Sequence, residues 1–287
     1  MLTASVSEQQ FRKWAPVLGR IVRRPWKNRT IANMKLFLRS AHWTEAQWER
    51  LWKANTRHVG QTIVEFIVWH RMSREEVLNR ISIRGEHHLH ETLRAGRGAM
   101  VLASHTGNFL ALAPGLHKAG VPAVITGQQM PTPFLRAFLH GFLGRYGARH
   151  LKIGQGLLPM AAAESFKRGA TFSCFVDYSL AGKRDVWLQF GHAETNVSIG
   201  PVLLARRHRV PVLCVSCRRL DASRHEVIFH PPLPMPVTND ARADARLLTE
   251  QALQIVAEDI QKNVDQWWEW DWAPLRSRAH SGEHYRC

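Results

Sequence analysis

Four short, almost continuously apolar runs stand out along the chain: Ala99-Met-Val-Leu-Ala-Ser104, Val121-Pro-Ala-Val-Ile-Thr126, Thr171-Phe-Ser-Cys-Phe-Val176 and Val210-Pro-Val-Leu-Cys-Val-Ser216. Runs of that length without polar alternation predict strands covered on both faces. Helical stretches separate them, and strands alternating with helices predict the α/β class, with a mainly parallel central sheet flanked by helices. Before Gly96-Arg-Gly98 the period is helical. Thr44-Glu-Ala-Gln and Ser73-Arg-Glu-Glu each open a segment like a capping box, in which the hydroxyl and the side chain three residues on satisfy backbone amides reciprocally. The pattern therefore predicts a helical N-terminal layer over 1–95 and an α/β core over 96–287 within one structural domain. A last helix over 240–272 runs into Trp267-Trp-Glu-Trp-Asp-Trp272.

Charge narrows the partners. Lys and Arg outnumber Asp and Glu by 39 to 23, a formal charge of +16, and a field of that size attracts nucleic acid, anionic lipid headgroups or acidic carrier proteins. No recognised nucleic-acid motif accompanies it, so nucleic acid is set aside. Residues 11–40 hold nine basic and no acidic residues, with Phe11, Trp14, Leu18, Ile21 and Val22 at helical spacing. That composition suits either an interfacial helix on anionic lipid or a helix with its stripe packed on the domain; Pro16 argues against an unbroken helix. No stretch reaches the ~18 uninterrupted apolar residues of a spanning helix. The start lacks the layout of a secretory signal, so the expected location is cytoplasmic or on a cytosolic membrane face. Cys174, Cys214, Cys217 and Cys287 are too unevenly placed for a disulfide framework. Cys214-Val-Ser-Cys217 has metal-site spacing but lies on a strand, where residues three apart point to opposite faces, so core packing is expected.

The candidate chemistry gathers where the first apolar run ends in His105-Thr-Gly-Asn108. Ligands collect outside the carboxyl ends of strands in open α/β sheets. A His there can accept a hydroxyl proton while nearby amides stabilise an oxyanion. Gly107 would let substrate approach the backbone, and Asn108 suits fixing the turn. Arg145 and Arg149 are candidates for holding a phosphate or a phosphopantetheine arm. His87, His90 and Glu91 share a helical face, a conceivable metal site or a solvated surface. Arg206-Arg207-His208-Arg209 reads as a carrier-docking patch or a solvated run. The tryptophans of 267–272 suit a membrane interface or the core.

The block Ser104-His105-Thr-Gly-Asn108-Phe109 resembles the H-x4-D/E block of the bacterial lipid A biosynthesis acyltransferases, the lauroyl and myristoyl transferase family. So do Arg24 to Asn33, Gly85 to Gly98, Pro133 to Gly147, Phe175-Val-Asp177, Phe190 to Thr195 with Gly200 and Leu204-Ala205, and Asp265 to Trp270, so that the resemblance covers 30–272. It implies a glycerolipid-acyltransferase-like fold. It also implies acyl transfer from an acyl carrier protein or acyl-CoA to a hydroxyl, or an amine, of a lipid-like acceptor. His105 would be the general base, amides near Gly107 and Asn108 would hold the oxyanion, and Phe109, Leu110 and Leu112 would line the acyl groove. No covalent acyl-enzyme, metal or cofactor beyond the thioester donor is implied.

One departure stands out, because the acid expected five residues after the His is Leu110. The replacements within the resembling blocks are Asp177, Asp185 and Glu194. Asp177 comes first because it follows a strand and can share the sheet edge; its simpler role is to cap a helix or pair with Arg145 or Arg184. Alternatively His105 acts alone on an already activated thioester. Family members typically carry an N-terminal transmembrane helix that this chain lacks, so the expected attachment is peripheral, on the inner face of the cytoplasmic membrane. Leu110 equally suits a homologue impaired in catalysis that binds acyl carrier or membrane, and the acceptor could be a specialised metabolite.

Overall fold

The computed structural model describes residues 2–40, 42–94, 96–128, 130–154, 156–178 and 185–277; Cys287 and Arg184 lie outside them. Helices α1 (Leu2–Arg23), α2 (Lys27–Leu38), α3 (Glu45–Arg71) and α4 (Arg74–Leu78) lead into β1 (Ile81–Arg84) and α5 (Glu86–Leu93). The middle of the chain alternates β2 (Ala99–Ala103), α6 (Leu112–Lys118), β3 (Ala123–Gly127), α7 (Pro133–Gly144), β4 (Ala148–Lys152), α8 (Leu158–Lys167) and β5 (Thr171–Phe175). A hairpin of β6 (Asp185–Phe190) and β7 (Ala193–Ser198) follows, then α9 (Gly200–His208), β8 (Val212–Arg219), β9 (His225–Leu233), α10 (Ala241–Lys262) and β10 (Leu275–Ser277).

Among the described residues, seven strands form one sheet in the order β1-β9-β8-β2-β5-β3-β4. From β8 to β4 every neighbour is parallel, while β9 is antiparallel to β8. This is the mainly parallel α/β sheet that the alternating pattern implies. The four apolar runs are β2, β3, β5 and β8. Met100 and Leu102 of β2 enter the apolar cluster on one face, Val101 and Ala103 the cluster on the other. Cys214 and Cys217 likewise fall on opposite faces, each surrounded by core.

The remaining strands carry too many polar residues to show as apolar runs. β1 and β4 are edges of the large sheet, and β10, β7 and β6 form a separate antiparallel sheet. The stretch 44–95 is therefore not helical throughout, and the last helix stops at Lys262, beyond which two short 3-10 turns cover 264–266 and 268–271.

Both capping boxes form, with the Thr44 hydroxyl accepting from the Gln47 amide and the Ser73 hydroxyl from the Glu76 amide. Helix α1 continues through Pro16, which lies on an exposed face where the carbonyl it leaves unpaired can meet water. At Ala15 and Gly19 the buried side of α1 is small. A Cβ on Gly19 would land on the Thr56 carbonyl, and one on Gly60 on the Ala15 carbonyl, so α1 and α3 touch backbone to backbone. That contact turns Trp14, Val17 and Ile21 to the outside.

Two connections locate the crevice. After β2 the chain enters α6, whose Leu112 and Leu116 join one apolar cluster; after β5 it reaches α9, whose Val202 and Ala205 join the other. Chain leaving adjacent strands toward opposite faces opens a gap at their carboxyl ends.

Candidate active site

Register brings the central pair together. Ala103 of β2 lies opposite Phe175 of the parallel neighbour β5, so His105 and Asp177, each two residues further on, meet beyond the carboxyl ends of the two strands. His105 Nδ1–H donates to Asp177 Oδ1 at 2.9 Å, and the His105 backbone amide donates to Oδ2 at 2.7 Å. The indole Nε1–H of Trp267 donates to the same Oδ2 at 2.8 Å. The Trp268 amide holds the His105 carbonyl at 2.9 Å. The imidazole stacks on Phe175 with ring centroids 4.0 Å apart and meets Phe109 edge-on at 5.0 Å, leaving 14% of its side chain exposed. With Nδ1 committed to Asp177, Nε2 is the nitrogen that can take a proton.

Two carboxylates set the charge. Burial alone would lower the His105 pKa, but the Asp177 charge, the Glu269 charge and the Asp177 hydrogen bond together raise it above the ordinary imidazole value. Glu269 Oε1 lies 4.0 Å from Nδ1. Burial raises the Glu269 pKa, against the neighbouring His105 charge.

The turn after His105 is held from behind. Gly107 has φ +55°, and a Cβ there would strike the Cys217 carbonyl. Its amide donates to the Gln266 carbonyl at 2.8 Å, so it is spoken for and does not face an oxyanion as expected. Its carbonyl accepts from His58 Nε2 at 3.0 Å. Asn108 is fully buried, its Oδ1 accepting from the Leu110 amide at 3.2 Å and its Nδ2 donating to Glu65 Oε2 at 2.8 Å. Asn108 thus fixes the turn, with both ends of its side-chain amide taken up.

Glu65 belongs to a buried network that the sequence pattern did not reveal. Arg219 of β8 grips both oxygens of Glu65, with Nη2 at 2.8 Å from Oε2, and points Nε at His58 Nδ1 at 3.3 Å. Burial and the Arg219 charge push the His58 pKa down to about 3, so this ring is neutral and serves as a donor to Gly107. Burial would raise the Glu65 pKa, but Arg219 and His225 bring it to about 2. The signal available in the sequence was the spacing His58, Thr62, Glu65: three polar residues at helical period on the face of α3 that also carries Trp69.

The tryptophan segment is pinned by the N-terminal helices. Asn33 Nδ2 donates to the Trp270 carbonyl at 2.7 Å, and Asn55 Nδ2 to the Trp267 carbonyl at 2.8 Å. Arg23 is buried against Asp271 and the Trp268 carbonyl. Trp267 and Trp270 are core residues, whereas Trp272 is exposed.

Other expected site residues lie elsewhere. Phe109 packs on His105, but Leu110 packs against an apolar core cluster and Leu112 is buried in it, so Leu112 lines no groove. Arg145 donates to the carbonyls of Trp69 and Met72 at 2.9 and 2.5 Å, closing the end of α3, and does not pair with Asp177. Arg149, in register with Val124, sits near the amino end of β4, away from the crevice. Glu194 pairs with Arg276 at 2.8 Å and Asp185 begins β6, which leaves Asp177 as the replacement acid that meets His105. Arg206 ties α9 to Asp244 at 2.8 Å. His90 faces Glu86 at 3.5 Å, and among the described residues no group of three His, Cys, Asp or Glu side chains is arranged to hold a metal ion. Ser216, His230 and Asp259 do converge, but the Ser216 Oγ and Asp259 Oδ2 meet the same ring nitrogen at 3.1 and 2.9 Å. A carboxylate placed there cannot orient the ring behind a nucleophile.

A family model described as bacterial lipid A biosynthesis acyltransferase matches residues 1–270. No curated protein matches the chain. Among solved structures it is similar to the 1-acyl-sn-glycerophosphate (LPA) acyltransferase PlsC from Thermotoga maritima, at 14% identity and a TM-score of 0.39, covering 84% of this chain and 98% of that one.

Proposed function

The chain belongs to the bacterial lipid A biosynthesis acyltransferase family and is a lipid acyltransferase; from that premise we propose a direct acyl transfer with His105 as general base. The donor is a thioester of acyl carrier protein or CoA, and the acceptor a hydroxyl, or an amine, of a lipid-like molecule of the lipid A type. His105 Nε2 takes the acceptor proton as its oxygen attacks the thioester carbonyl. The carbon–sulfur bond then breaks, and the thiolate leaves with the proton that His105 returns. No resident cofactor enters the step.

The observation that carries this reading is the 2.9 Å bond from His105 Nδ1 to Asp177 Oδ1. It selects the tautomer with a basic Nε2 and puts a negative charge beside the imidazolium that forms. Asp177 thereby does what the missing acid at 110 was expected to do, which argues against a chain that keeps the fold without the chemistry. Attachment is peripheral, on the inner face of the cytoplasmic membrane. Its support is the outward apolar stripe of α1, bordered by exposed Lys13, Arg20 and Arg24, and no helix among the described residues is long and apolar enough to cross a membrane.

The test is transfer from radiolabelled lauroyl carrier protein and lauroyl-CoA into a total bacterial lipid extract by the purified protein. His105→Ala should lower the rate by about 10²–10⁴, the range of a lost general base. Undiminished transfer by that variant would overturn the mechanism.

A further inference from the structure

Glu269 is a carboxylate in a place where a carboxylate is costly. It is 5% exposed, and its Oε2 has no hydrogen-bond partner. Removing an ionised carboxylate from water without partners is unfavourable by several kcal/mol even after relaxation, and an apolar side chain would fill the same volume without that penalty. The groups around it come from four parts of the chain. His105 follows β2; Asp177 and Tyr178 follow β5; Arg23 ends α1; Asp271 lies two residues on and is taken up by Arg23. Of these, His105 is the group that gains charge during the proposed reaction, and Glu269 Oε1 faces its Nδ1 at 4.0 Å.

We propose that Glu269 is a positioning residue for acyl transfer, the second carboxylate of the His105 site, which with Asp177 stabilises the imidazolium formed when His105 takes the acceptor proton. The division of labour follows from geometry. Asp177 makes the hydrogen bonds that fix the ring, with both of its oxygens occupied. Glu269 makes none to the ring and acts through charge across 4.0 Å. Opposite charges at that separation shift an ionisation by about 1–3 pH units. With leucine at 110, the tryptophan segment supplies the second acid from the other end of the chain. Arg23 is buried on the far side of this carboxylate, its charge shared between Asp271 and the neighbouring Glu269.

This inference rests on His105 being the base, and the experiment separates the two. The histidine ring signals of the whole protein are followed by NMR against pH, with His105 assigned by its absence in His105→Ala. In Glu269→Gln the His105 titration should move down by about one pH unit or more, and the rising limb of the rate of lauroyl transfer from lauroyl carrier protein into total lipid extract should move with it. Glu269→Asp, which keeps the charge, should leave most of the upward displacement in place. A His105 titration identical in wild type and folded Glu269→Gln would overturn the proposal. So would a Glu269→Asp variant that shifts as far as Glu269→Gln, since packing and not charge would then be at work. Unimpaired transfer by His105→Ala would instead overturn the parent mechanism, whatever the Glu269 variants do.

Discussion

At His105 the proton balance fixes how activity depends on pH. The folded protein holds the imidazole proton more tightly than an unfolded chain would, because two carboxylates outweigh the effect of burial. Only the neutral ring can act as base, so the rate should rise with pH along a limb centred above the ordinary imidazole value of about 6.5. The same sign governs stability. The pair contributes fully below the unfolded imidazole value, and the contribution is lost as pH rises through the folded one. Asp177→Asn removes the charge and lets Nδ1 become an acceptor, which presents the wrong tautomer. It should lower kcat by roughly 10⁴, as in other Asp–His pairs, and draw the limb downward; a limb left in place would mean that Asp177 does not govern the ring. His105 could be read from sequence because an apolar run ends in it. Asp177 could be ranked first for a related reason, since it too ends a strand, and adjacent parallel strands bring their carboxyl ends together. Glu65, Arg219 and Glu269 could not, because each acquires its meaning from a partner more than a hundred residues away.

At the scale of elements, α3 serves as both wall and clamp. Its apolar residues Val64, Val68 and Trp69 are the ordinary buried stripe of an amphipathic helix. Interleaved with them, His58 and Glu65 reach through to the Gly107 carbonyl and the Asn108 side chain. The Glu65–Arg219 pair is the joint of this clamp, and removing one member strands the other. Glu65→Ala should cost about 3–5 kcal/mol in chemical denaturation, whereas Glu65→Leu combined with Arg219→Met should recover much of that loss. If the double variant were stable but slow in acyl transfer, the pair would be shown to set the turn as well as to hold the fold; if both variants were as stable as the parent, the clamp would be idle. The pattern of the chain announced β2, β3, β5 and β8 because those strands are buried on both faces. It was silent on β1, β4, β6 and β7, where edge positions and a small antiparallel sheet admit charged side chains. It also read 240–272 as one helix, although the chain breaks at Asn263 so that Trp267 can turn back toward Asp177.

Over the whole molecule, the +16 charge and the outward face of α1 point the same way. Sequence alone left the stripe of α1 between a membrane and the core. The close approach of Gly19 to α3 divides it: Leu18 packs against the core, whereas Trp14 is left 59% and Ile21 66% exposed. Exposed residues of this kind contribute little to folding, so Trp14→Ser with Ile21→Ser should change stability by no more than about 0.5 kcal/mol each. Their effect should appear in cosedimentation with vesicles of phosphatidylglycerol and phosphatidylcholine, where losing a buried indole and a buried isoleucine should weaken binding by well over tenfold at about 1.5–3 kcal/mol per large apolar side chain. Arg20→Gln with Arg24→Gln tests the other half of the proposed membrane contact. Each basic residue near an anionic surface is worth about 1 kcal/mol and is screened within a Debye length. The double variant should therefore bind more weakly at low salt and converge on the parent as salt is raised, a convergence the apolar pair should not show. Equal binding by all three proteins would overturn the proposed membrane contact of α1.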